Sequence, residues 1–249
     1  MQAYTYPGTE LDLFAVAFRW KAYWASVVAP FLGSCVLEVG AGIGGSIKPL
    51  LSARPGIERL LLLEPDSRLI NSLSHEISSL SDPRVQVHAG TTSDLLSHTT
   101  QADDVNNRLQ NAKFDSVLYI DVLEHIHDDA AELRLAYQLL APNGRLIILA
   151  PAHQALFSPF DQAVGHYRRY SRRTLSKLVP EGMTLEASRY LDSLGLILSL
   201  VNKLVLSSAA PTRTQIRFWD SCVIPLSRIL DRLLDYRVGK TVVMIFRKV

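Results

Sequence analysis

The chain has 249 residues, 48% of them apolar and 20% charged, which is material for one packed domain and excludes a disordered chain. A net charge of +2 is too small to argue for a nucleic-acid partner. Cys35 and Cys222 form neither a CxxC pair nor a disulfide framework, and no cationic-then-apolar leader opens the chain, so the expectation is a cytoplasmic protein with free thiols.

In chain order, Met1 to Gly8 reads as an arm with a turn at Pro7-Gly8. From Glu10 to Phe31, Leu11, Phe14, Phe18, Tyr23, Trp24 and Val27 recur at helical spacing, and Pro30 and Gly33 close the stretch. It is either a packing helix or one that lids a site. Val36 to Val39 then reads as a strand running into Gly40-Ala41-Gly42-Ile43-Gly44-Gly45, with Ser46 to Leu51 as the start of a helix. Glycines let a backbone turn tightly and approach a ligand, and the helix start offers unpaired N–H groups. Gly40, Gly42 and Gly45 satisfy the dinucleotide fingerprint GxGxxG, with Glu64 as its ribose acid. Glu38 argues the other way, because a carboxylate there opposes a pyrophosphate and suits an ammonium or sulfonium.

Leu60 to Leu63 is an apolar run ending in Glu64-Pro65-Asp66, as a strand covered on both faces should. Ser67 to Leu80 is an amphipathic helix stopped by Asp82-Pro83, and Val85 to Gly90 alternates as a third strand leading to Thr91 and Thr92. His98 to Lys113 is a polar, longer connection with room for one short helix. Phe114 to Ile120 gives a fourth strand, which exits through Asp121-Val122-Leu123-Glu124-His125. Glu124, His125, His127 and Asp128 do not have the spacing of a helical His pair, so no metal site is expected. A helix from Ala130 to Leu140, a turn at Pro142-Asn143-Gly144 and a strand from Arg145 to Leu149 complete five parallel strands. Right-handed crossovers gather Glu38, Glu64, Thr91, Asp121 and Pro151 at one rim.

Glu38-x-Gly40-x-Gly42-x-Gly44 and the Asp121 to His125 exit, with its Leu-Glu-His signature, resemble the first and fourth motifs of class I S-adenosylmethionine-dependent methyltransferases of small-molecule type. The resemblance spans residues 34 to 170. It implies a Rossmann-like, doubly wound α/β sheet of seven strands with an antiparallel edge strand. It also implies S-adenosyl-L-methionine as cofactor and S-adenosyl-L-homocysteine as product. Glu38, Gly40, Ala41, Gly42 and Gly44 would form the seat, Glu64 and Pro65 the ribose contact, and Thr91 and Thr92 the adenine side in place of the usual acid. Ile120 or Asp121 would face the methionine end.

Beyond the rim, Pro151 to Tyr170 is dense in His, Tyr, Arg and Pro, which suits an ordered lid loop. Its Phe-Asp-x-x-x-Gly-His-x-Arg-x-Tyr pattern resembles a segment of bacterial methyltransferases that often act on lipids, sugars or natural products. His166 and His153 are the candidate general bases. Tyr167, Arg168, Arg169 and Tyr170 are the candidate acceptor contacts, with the arginines suited either to an anionic acceptor or to a solvated face. Met183 to Tyr190 and Thr241 to Arg247 supply the sixth and seventh strands. Between them, Leu191 to Leu206 and Arg217 to Leu234 form a helical insertion, fit for a substrate wall, a dimer contact or a peripheral membrane contact. The layout expected is one domain over 1–249, with a helix or lid at 1–33, a cofactor core at 34–150, an acceptor-side lid at 151–180 and an insertion at 191–235. The expected function is methyl transfer to an O or N atom of a small-molecule, sugar, lipid-like or natural-product acceptor. The alternatives are an inactive S-adenosylmethionine-binding or scaffold protein and an NAD-dependent oxidoreductase.

Overall fold

The computed structural model describes residues 6–8, 10–98, 113–201 and 211–249. The apolar runs become five parallel strands, β1 (Cys35–Val39), β2 (Arg59–Glu64), β3 (Val85–Ala89), β4 (Phe114–Ile120) and β5 (Leu140–Pro151). Two more, β6 (Met183–Leu191) and β7 (Thr241–Lys248), complete a seven-stranded sheet in the order β3-β2-β1-β4-β5-β7-β6. β7 runs antiparallel to both β5 and β6, so the antiparallel pair forms that edge with β6 outermost. Among the described residues no helix is long and apolar enough to cross a membrane.

Alternation along each strand divides the core between the two faces of the sheet. Val36, Leu60, Leu62, Leu118 and Ile147 pack with Trp20, Tyr23 and Trp24 on one side. Leu37, Leu61, Leu63, Val117, Tyr119 and Ile148 pack on the other, under the helix Asp129–Leu139. Full burial of each leucine stabilises the fold by roughly 1.5–3 kcal/mol. Burial on both faces is what the leucine-only run of β2 required.

Two elements differ from their sequence expectation. The first helix is broken into Glu10–Phe14 and Phe18–Val28, followed by a 3-10 turn Ala29–Phe31. The start of the second piece is capped from far away, because the buried Asp220 carboxylate accepts the Arg19 and Trp20 N–H groups at 3.1 and 2.8 Å. β5 starts earlier than expected, and the turn at Pro142-Asn143-Gly144 survives inside it as a bulge. Phe114 pairs with Leu140 and Ser116 with Arg145, and Asn143 takes φ +61° between them. The insertion consists of helices Ser193–Val201, Arg213–Phe218 and Ile224–Leu233, the last two joined by a π-helical turn Trp219–Val223. Most of the polar connection after His98, and residues 202–210 of the insertion, lie outside the described residues.

Candidate active site

The glycine turn follows β1 directly. Gly40, Gly42 and Gly44 have φ of +70°, +57° and +80°, a region that favours glycine. Space excludes a side chain as well, since a Cβ on Gly40 would lie 2.7 Å from Val122 and one on Gly44 would lie 2.9 Å from Ile47 and Leu73. The Gly40 and Ala41 N–H groups donate to the Leu63 carbonyl, which ties the turn to the end of β2. At that end the Glu64 carboxylate accepts the Gly42 N–H at 2.8 Å and the Asp66 N–H at 2.9 Å. Each oxygen keeps a further lone pair.

Glu38 is buried beneath the turn, and Ser46 Oγ donates to it at 2.7 Å. Burial pushes its carboxyl up to about 7; the Ser46 bond opposes this and the charge of Glu64 adds to it. Two carboxylates therefore flank one glycine turn, a setting that attracts a cation. Along the rim Pro65 and Ile120 are half-buried. Asp121, at φ +53°, is exposed at the rim. Desolvation by the surrounding protein raises its pKa, while His166 and Lys240 oppose the shift. Thr91 is exposed, with its N–H and hydroxyl both on Asp94. Thr92 is buried instead, and its hydroxyl donates to Glu132 beside the Tyr119 hydroxyl, so it faces packing rather than the rim.

The two candidate bases lie in different places. His153, at φ +65°, stacks on Tyr190 and sets Nε2 2.9 Å from the Gly239 carbonyl oxygen, toward the β6–β7 edge. His166 sits at the β4 exit, with Nδ1 2.9 Å from Asp161 and Nε2 3.9 Å from Glu124. Asp161 is buried and also accepts two bonds from Arg169, at 2.8 and 2.9 Å, and two from Ser158. Burial alone would raise its carboxyl, but the bonds from His166 and Arg169 outweigh this and hold it well below the usual range.

The expected acceptor contacts are mostly occupied within the protein. Arg169 is held by Asp161, Arg168 pairs with Asp129 at 2.6 Å and donates to the His127 carbonyl, and the buried Tyr170 hydroxyl bonds Asp129. Only the Tyr167 ring of the four is exposed, while its N–H donates to the Glu124 carbonyl. These bonds fasten the lid to the β4 exit, and that fastening is what carries His166 to Glu124 and His125.

The N-terminal segment crosses the same rim. Leu11 covers Gly42, Pro7 packs on Gly165, and the Tyr6 N–H donates to Asp66 at 2.7 Å with its ring 5.2 Å from His125. Sequence reasoning gave Asp161 no role, weighed Leu11 only as part of a helix that packs or lids the site, and read Glu124 and His125 as the exit of the fourth strand. The Asp five positions before His166 was a readable signal for the first of these.

A family profile described as a methyltransferase domain matches residues 17–181. The chain belongs to that family. It is a class I S-adenosylmethionine-dependent methyltransferase, with the strand order and antiparallel pair of that fold. No curated protein matches this methyltransferase in sequence. Solved structures do match in fold. The mitomycin 7-O-methyltransferase MmcR is 14% identical with a TM-score of 0.54, over 93% of this chain and 54% of that one. This methyltransferase thus spans about half the length of MmcR. YcgJ from Bacillus subtilis is 14% identical with a TM-score of 0.56, over 92% and 98% of the two chains. The [4+2]-cyclase SpnF is 12% identical with a TM-score of 0.58, over 97% and 94%.

Proposed function

We propose that this protein transfers the methyl group of S-adenosylmethionine to an oxygen or nitrogen of a small-molecule acceptor, of lipid-like, sugar or natural-product type. One observation supports this most: the glycine turn with its two carboxylates and the Asp161–His166 pair of the lid border the same rim. Gly40, Ala41, Gly42 and Gly44 form the seat, a turn whose backbone a side chain would crowd at Gly40 and Gly44, and Glu38 beneath it is a buried carboxyl suited to a cationic ligand. On this reading Glu64 takes the ribose hydroxyls on its remaining lone pairs beside Pro65, Thr91 borders the adenine, and Ile120 and Asp121 face the methionine end. Thr92, turned into packing, has no direct part. When bound, the cofactor supplies a methyl already activated on a sulfonium. The protein's work is then to hold the acceptor in line and to let its proton leave.

His166 is the lid residue at which we place that proton loss, and His153, facing Gly239, stands outside it. Tyr167 is the one expected acceptor contact whose ring is open to a ligand. The layout we propose keeps one domain over 1–249, with the segment before residue 34 and the lid 151–180 meeting at the rim, where Pro7 packs on Gly165. Calorimetric titration with S-adenosylmethionine tests the core of this reading. Absence of binding to folded protein would end it.

Two predictions arise from the turn. Glu64→Ala should weaken cofactor binding tenfold or more, about 1.4 kcal/mol or above, and unchanged affinity would remove the ribose role. The second concerns pH. With its carboxyl near 7 in the free protein, Glu38 is protonated below that pH, and a bound cation favours its ionised form. Binding then releases a proton, so affinity should rise with pH up to about 7 and level off above it. Calorimetry in buffers of different ionisation enthalpy measures the released proton, and Glu38→Gln should abolish it.

A further inference from the structure

We infer that Glu124, His125 and His166 hold a divalent transition-metal ion on the acceptor side of the rim. Glu124 and His125 belong to the single 3-10 turn Leu123–His125 at the exit of β4. His166 comes from the lid, brought alongside by the bond from the Tyr167 N–H to the Glu124 carbonyl. One carboxylate oxygen and one ring nitrogen from each histidine lie within 4.8 Å of one another.

Hydrogen bonding around the three makes this more than a chance cluster. Glu124 is fully buried, and neither of its carboxylate oxygens has a hydrogen-bond partner; His125 Nδ1 is buried and equally without one. On His166 the other ring nitrogen is engaged: Nδ1 bonds Asp161, itself fixed by Arg169 and Ser158. Asp161 is an acceptor, so His166 carries its proton on Nδ1 and keeps a lone pair on Nε2. What remains is a buried Glu124 carboxyl with neither oxygen partnered, the unpartnered His125 Nδ1 and the lone pair of His166 Nε2, in a cluster that offers three ligand atoms within 4.8 Å; buried polar atoms left without partners are costly. A proton shared between Glu124 and His166 does not fit, because 3.9 Å is longer than a hydrogen bond. It would also leave His125 Nδ1 unserved. An ion serves all three.

The donor set indicates which ion. Two imidazoles and one carboxylate are the ligands of catalytic zinc sites and of non-haem iron(II) sites, which keep open positions, whereas magnesium favours oxygen ligands. Outer hydrogen bonds from ligand histidines to a carboxylate or carbonyl are the usual support of such sites. Asp161 is then a positioning residue. The spacing rule that spoke against a metal considered only residues 124–128; the third ligand lies on the lid. The inference rests on the proposed function and changes one role in it: His166 holds the ion instead of taking the proton, and an acceptor hydroxyl in an open position would lose its proton to solvent at lower pH, the O–H electron pair staying on oxygen as the nucleophile.

The test uses full-length, untagged protein stripped with chelator and titrated with Co²⁺. Expected are one equivalent bound, visible d–d bands of an imidazole-ligated ion, and displacement by Zn²⁺. His125→Gln, His166→Gln and Glu124→Gln keep volume and polarity, and each should weaken Co²⁺ binding about a hundredfold while S-adenosylmethionine affinity is retained. Retained cofactor affinity also certifies the variant as folded. Parent protein that binds S-adenosylmethionine but no Co²⁺ overturns the ion site and leaves the cofactor reading standing. Co²⁺ bands unchanged in all three variants overturn it too. Co²⁺ bound without S-adenosylmethionine keeps the ion and overturns the cofactor reading.

Discussion

Alanine in place of His166 is expected to lower turnover by about a hundredfold or more, with S-adenosylmethionine affinity within about twofold of the parent. The measurement is release of S-adenosylhomocysteine with whichever acceptor the parent protein methylates, set beside calorimetric binding of the cofactor. His166 Nε2 faces Glu124 at the β4 exit, while the glycine turn and Glu64 are reached from other elements, so the two readouts should separate. Asp161→Asn should act in the same direction by a different route. A carboxylate accepts the Nδ1 proton, whereas an amide can donate to Nδ1 and move the proton to Nε2, where it blocks both base and ligand chemistry. A normal rate in His166→Ala would reduce the residue to tying the lid.

The part of the site that could be read from the sequence is the part where backbone conformation dictates residue type. Gly40, Gly42 and Gly44 have to be glycine at positive φ, and an apolar run such as Leu60 to Leu63 ending in an acid has few other homes than a covered strand with its end at the rim. Side-chain partners were not legible in this way. Nothing in Tyr167-Arg168-Arg169-Tyr170 says that Arg168 pairs with Asp129 and Arg169 with Asp161, so free arginines suited to an acceptor and arginines fastening a lid look the same in one dimension. Thr91 and Thr92 are likewise equivalent as letters, and only the direction of the following helix sends Thr92 into packing on Glu132. The meeting of His166 with Glu124 and His125 depends on how the lid folds back over the β4 exit, a long-range event that local spacing does not encode.

The insertion was the least legible element, and the strongest stability effect is expected there. Asp231→Ala should destabilise the protein by about 3–5 kcal/mol in urea unfolding followed by circular dichroism. Asp231 is fully buried and accepts from the Tyr23 hydroxyl at 2.8 Å and from the Asp192 and Ser193 N–H groups at 2.7 and 2.9 Å. Alanine strands all three donors, and an orphaned buried donor costs about 1–3 kcal/mol. Asp192, also fully buried, continues the network by accepting from Trp219 Nε1, Ser227 Oγ and the Gly195 N–H. Since the Asp192 backbone is bound by Asp231, the double variant should lose less than the sum of the singles. A loss below about 1 kcal/mol for Asp231→Ala would make the insertion a separately opening flap. The geometry argues for one body: Asp220 caps the helix Phe18–Val28 at Arg19 and Trp20, and Asp231 grips Tyr23 on the same helix. Two carboxylates from the insertion therefore fix the helix that follows Glu10–Phe14, the segment whose Leu11 covers the glycine turn. Loss of Asp231 should consequently be felt at the cofactor rim as well as in global stability.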